Sequence, residues 1–211
     1  MTNPNQIVRL HSRNNGRGSV LESNMGFQIY DTGLLTGSGV VASTSASLSV
    51  VVGGELASPD IVIAQTPAGY KVALDIAGNT SLTLTAPTDN SKIVAIVAYT
   101  DDLALASTDE TITGNPSSCG LLAVSGTAAA SPEKPTDTQI RAAITADGAT
   151  GSQATYGVIA YVTIAAGTDV ITDTLISNQE AFFIKMIPES QDPGEGVPLE
   201  PNHFIFLYKE S

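Results

Sequence analysis

The sequence predicts a mainly β protein, an antiparallel β-sandwich of jelly-roll type with one short helix and extended N- and C-terminal arms. Three observations carry this. Short runs rich in β-branched residues recur at close spacing, the breaks between them hold glycine, proline or asparagine, and only one segment pairs helical periodicity with a capping pattern.

Residues 1–37 read as an N-terminal arm and first strand. Turns at Asn14, Asn15, Gly16 and Gly18 precede an apolar stretch from Met25 to Tyr30, and Asp31, Thr32 and Gly33 turn the chain again. The body spans 38–187. Its first stretch, VVASTSASLSVVVGG, alternates small polar and apolar residues and reads as strand up to a turn at Gly53 and Gly54. Strands then follow at 60–65, 70–78, 80–86 and 92–100, separated by Pro59, by Pro67 to Gly69, by Gly78 and Asn79, and by Pro87 to Ser91.

Alternation is strict over 80–86, so Leu82 and Leu84 face one side and the threonines the other. The run KIVAIVAYT over 92–100 is apolar nearly throughout, which predicts a strand covered on both faces, centrally in a sandwich or against another chain. A polar stretch from Asp101 to Pro116 loops out before a strand over 119–126. The linker SPEKP leads to a helix over 136–147. There Thr136 and Gln139 make a capping-box pattern, Ile140, Ala143 and Ile144 an apolar stripe, and Gly148 the stop. Strands over 156–165 and within 178–187 complete the body. Residues 188–211 form a proline-rich tail ending in FIFLY, which adds to its own sheet as an edge strand or inserts into a neighbouring protomer.

Charged residues make up 14% of the 211, against roughly 25% in an ordinary soluble domain, so the surface is expected to be uncharged polar and suited to permanent assembly. The formal charge of −12 is uneven. Arg9, Arg13 and Arg17 precede every acidic residue, and the rest of the chain carries six basic against 21 acidic residues. An acidic body repels phosphates, which argues against nucleic acid as a partner. The arginine arm is either a solvated terminus or a docking arm for carboxylates of a neighbouring subunit. The start lacks an apolar signal region and no apolar stretch reaches the roughly 20 residues of a membrane helix, so assembly in a cytoplasm is expected.

Residue types argue against catalysis and cofactors. The histidines are His11 and His203, one in each arm, so neither Cys119 nor a serine has an evident base. Cys119, beside Leu121 and Leu122, reads as a core residue, and a metal site is not expected from one cysteine and two distant histidines. Acids gather in two segments, Asp101, Asp102, Asp109 and Glu110, and Glu189, Asp192 and Glu195. They lack EF-hand spacing and read as solvated loop charge.

The run YGVIAYVTIAAGTDVITDTLI over 156–176 resembles a segment of tail, baseplate and fibre-adaptor proteins of phages of Gram-positive bacteria. The matching positions are Ile159, Ala160, Val162, Ile164, Ala166, Gly167, Ile171, Asp173 and Ile176. Residues 33–57 are similar to the opening strands of that module and IVAIVAYTDD to its central strand, so the resemblance covers about 33–178. The chain departs from the pattern at Asn90, Ser91 and Lys92 and at Ser177 and Asn178.

The resemblance implies a non-enzymatic virion structural protein, a tail or baseplate fibre-attachment component assembled in the host bacterial cytoplasm. A head fibre or capsid decoration protein, or a module binding a host surface glycan or receptor, are the alternatives. Its expected partners are itself, as a homotrimer or ring, and other virion proteins, with no membrane. At this length an adaptor or short fibre is expected. The arginines Arg9, Arg13 and Arg17 are the expected polar docking residues, and Phe204, Phe206 and Tyr208 the apolar anchors.

Overall fold

The computed structural model describes residues 7–10, 27–29, 32–53, 60–67, 69, 71–101, 119–181, 183–188 and 203–208. In chain order the strands are β1 (Ile7–Leu10), β2 (Phe27–Ile29), β3 (Gly33–Thr36), β4 (Val40–Ala42), β5 (Ser49–Val52), β6 (Asp60–Gln65) and β7 (Lys71–Ala77). They continue as β8 (Thr80–Thr83), β9 (Lys92–Asp101), β10 (Cys119–Ser125), β11 (Ala154–Ile164), β12 (Ile176–Asn178), β13 (Phe183–Pro188) and β14 (His203–Tyr208). Helix α1 (Asp137–Ala146) and a 3-10 turn at Asp173–Leu175 lie among them. Among the described residues no helix is long and apolar enough to cross a membrane.

The fold is mainly β, with antiparallel sheets in a sandwich-like arrangement and one short helix. The main sheet runs β1-β7-β6-β11-β9-β10, with β3 on β6 and β12 on β11. A second sheet, β4-β5-β8, packs on one of its faces. Val40, Val50 and Val52 from the small sheet, with Leu84 just past β8, share a core with Val62, Leu74, Ile76, Val94, Ile96 and Val162 from the large one. Helix α1 covers part of the opposite face, where Ile140 and Ile144 pack with Ala95, Val97 and Tyr99.

Strand β9 therefore lies between two cores, its even residues in one and its odd residues in the other, and all its residues from Val94 to Thr100 are buried. The apolar run expected to be covered twice is covered by its own chain. The helix also starts as expected. Gln139 donates its backbone N–H to the Thr136 hydroxyl, and the Gln139 side chain accepts from the Thr136 N–H at 2.9 Å. Gly148 follows with φ 98°, a left-handed conformation that suits glycine after a helix. Leu82 and Leu84 both pack into the inter-sheet core, as their alternation requires.

The ladders correct one reading and place the segments whose pairing the sequence left open. The stretch after Gly39 is a hairpin rather than one strand, because the hydroxyl-rich bend competes with the ladder: Ser45 N–H reaches Ser43 Oγ at 3.3 Å and Ser47 Oγ reaches the Ser45 carbonyl at 3.0 Å. Strand β3, near the end of the segment 1–37, is laddered to β6 of the body. Within the N-terminal arm, β1 adds antiparallel to β7. The tail strand β14 pairs with β13 of its own chain, and it does so in parallel, within a small sheet ordered β14-β13-β2. A parallel return needs a long connection, which the stretch between Pro188 and His203 supplies.

Candidate functional site

The densest long-range polar contacts converge on the segment from Ser38 to Ala42, which carries strand β4. Asp60 opens strand β6 and is 1% exposed. Its two carboxylate oxygens accept from Ser38 N–H at 3.1 Å and Gly39 N–H at 2.7 Å. Glycine at 37 makes this approach possible: its φ is 112°, and a Cβ there would collide with Asp60 Oδ1. Burial pushes the Asp60 carboxyl above its ordinary 3.8, against the lowering by the Gly39 and Ser38 N–H groups.

Farther along, Asn178 imitates a strand. Its Oδ1 accepts from Val40 N–H at 3.0 Å and its Nδ2 donates to the Val40 carbonyl at 3.2 Å. Asp173 Oδ1 accepts from Ala42 N–H at 2.7 Å. Ser43 and Gly39 bond across to β5, so the outward groups of β4 are those of Val40 and Ala42, and it is these that the two side chains engage. This edge is closed by side chains, a known protection against edge-to-edge pairing. Asn178→Ala is expected to cost about 1 kcal/mol in denaturant unfolding and to raise light scattering on heating. Scattering no higher than that of the wild type would refute the edge-protecting role.

A second polar cluster ties α1 to the main sheet. Arg141 Nε sits 3.0 Å from Asp137 Oδ1, and its Nη1 donates to the carbonyls of Gly151 at 2.8 Å and Ala154 at 3.1 Å. Tyr156 donates to Asp137 at 2.7 Å, and the Arg141 guanidinium lies 5.2 Å from the centre of its ring. The Tyr156 hydroxyl, followed by Arg141, holds the Asp137 carboxyl below 3.8 despite partial burial. Burial and then Asp137 push the Tyr156 phenol well above its usual value. An ionised Asp137 thus accepts from a protonated Tyr156 around neutral pH, which suits a latch. Nearby, Tyr99 donates to Asp147 Oδ2 at 2.6 Å and Lys134 Nζ lies 4.0 Å over the Tyr161 ring.

Lys92, 8% exposed, donates to Thr85 Oγ1 at 2.9 Å and Ser125 Oγ at 3.1 Å, and burial lowers its pKa. Among the described residues no three His, Cys, Asp or Glu side chains gather as a metal site would require. Cys119 is buried in the inter-sheet core.

The residues expected to dock are dispersed. Arg9 lies on β1, in register with Asp75 of β7. Phe204, Phe206 and Tyr208 lie on β14, in register with Ile184, Met186 and Pro188. Arg13, Arg17 and His11 lie outside the described residues, as do Asp102, Asp109, Glu110, Glu189, Asp192 and Glu195. Asp101 ends β9, opposite Ala154.

Sequence reasoning missed Asp60 and Asn178. The available signal was a carboxylate heading an otherwise apolar strand, next to a glycine-rich segment whose amides need partners. Asp173 stands in the sequence only as a position of the 156–176 motif, and its contact is to the backbone of β4. No family model, curated protein or solved structure matches the chain.

Proposed function

We propose that this chain is a non-enzymatic structural protein of a phage-type particle, a tail or baseplate component that attaches a fibre and works as a homotrimer or ring. Its place is the virion, after assembly in the host bacterial cytoplasm. The observation that carries this reading is how the polar side chains are used. In the described body Asp60, Asp173 and Asn178 bind the backbone around β4, and Asp137 and Arg141 bind each other and groups beside α1, instead of converging on a cleft, and the exposed positions between them are mostly threonine, serine, alanine and glycine. A self-stitched body whose exposed positions are mostly small and uncharged suits permanent contact with other proteins, where each buried charge would cost free energy. The resemblance over residues 33–178 supplies the particle.

Particle reconstitution tests it. Full-length protein is expected to incorporate and to co-purify with a tail or baseplate component. Chains lacking 1–20 or 200–211 are expected to incorporate poorly while their circular dichroism still reports a β body. Incorporation of both truncated chains at the full-length level would defeat docking through Arg9, Arg13, Arg17, Phe204, Phe206 and Tyr208. Binding to host wall glycan with no affinity for any particle component would overturn the reading in favour of a glycan-binding module.

A further inference from the structure

The sheet β4-β5-β8 treats its two edges differently. The β4 edge is occupied by Asn178 and Asp173. On β8, Leu84 N–H bonds to the Leu48 carbonyl at 2.7 Å, and alternation along the antiparallel ladder then turns the groups of Thr80 and Leu82 toward β5 and those of Ser81 and Thr83 outward. No described residue bonds to those outward groups, and both side chains are exposed. Among the described residues one edge of the sheet is closed by side chains and the other carries no hydrogen-bond partner.

We infer that the outer edge of β8 pairs with the same edge of a second copy of this chain, antiparallel about Leu82. The edge is self-complementary. A twofold axis at Leu82 sets Ser81 opposite Thr83 of the second copy and Thr83 opposite its Ser81, so each pair exchanges both hydrogen bonds and one six-stranded sheet results.

Charge points to the same occupant. A chain of net charge −12 repels its own copies, yet residues 79–88 contain no charged side chain, so the paired strands themselves bring no like charges together. The flanking side chains are short hydroxyls, which give a foreign strand little to be selected by. The strand has four residues, and the area it buries falls well below the roughly 1,200 Å² of a stand-alone complex. The pairing is therefore weak between free molecules and gains strength where many copies are held together. It follows from the edge geometry whether or not the chain belongs to a particle.

Sedimentation velocity of the purified full chain, over a series reaching millimolar concentration, is expected to show reversible self-association. Thr83→Pro removes an N–H that has no partner inside the sheet, so it should leave thermal stability near wild type and weaken association about tenfold. A charge test then reads the register. Ser81→Glu with Thr83→Glu opposes like charges at both pairs and should abolish association, whereas Ser81→Lys with Thr83→Glu opposes unlike charges and should preserve or strengthen it. A wild type that stays monomeric throughout overturns the inference, as does a T83P chain that associates like wild type or a pair of double variants that behave alike. None of these results depends on particle binding, which the truncated chains report separately.

Discussion

Ile96→Ala is expected to lower the unfolding free energy by about 2–5 kcal/mol in a denaturant titration, toward the upper end of the range for a buried aliphatic side chain. Ile96 is 0% exposed and sits in the inter-sheet core. Its register neighbours across the two ladders are Ala123 on β10 and Ala160 on β11. Alanines cannot swing side chains into the space that a lost isoleucine leaves, and the main sheet is pinned from its other face by α1, so the cavity stays open. Ile96→Val should cost about 0.5–1.5 kcal/mol, and Val41→Ala, on an exposed position, at most about 0.5 kcal/mol. A cost below about 1 kcal/mol for Ile96→Ala would mean that β9 is not enclosed between two cores.

Asp60→Ala should be the most costly polar substitution, at about 1–3 kcal/mol near neutral pH, because the buried Gly39 N–H loses its acceptor and Ser38 loses a second. Asp60→Asn keeps one acceptor but turns an amide N–H toward a backbone donor, so it should recover only part of the loss. The pH dependence has a definite sign. Burial raises the folded-state pKa of Asp60 above 3.8, so between those values the folded chain holds more protons than the unfolded one. Stability from this group is then fully present below 3.8 and declines as pH rises through the raised folded value. Asp137 acts oppositely: its pKa is lowered, so its contribution is present above 3.8 and is lost on acidification. The stability difference between wild type and Asp60→Asn should therefore shrink as pH rises from about 3.8 toward neutrality. A difference that grows or stays flat over that interval would contradict the burial of the carboxylate.

Strand positions were legible wherever one periodicity dominated. Residues 60–65 and 119–125 emerge as strands at or within a residue of their expected limits, since β-branched and apolar runs bounded by proline or glycine leave the backbone few alternatives. The helix was legible because Thr136 and Gln139 form their cap from residues three apart, a purely local interaction. The hairpin over β4 and β5 was not. Its alternating small residues read as a continuous strand, and the hydroxyl bonds of the bend together with the long-range contacts of Asp60, Asp173 and Asn178 decide where β4 lies.

Composition and local pattern alone determined the mainly β class, the capped helix and the double covering required of 92–100. Which strands neighbour which, that β1 and β14 add to sheets of their own chain, and which sheet edge is closed were decided only in three dimensions. The physical reason is sequence separation. Caps and alternation act over a few residues, whereas the clasp on β4 joins residues 138 positions apart, and no local preference encodes a hydrogen bond of that span.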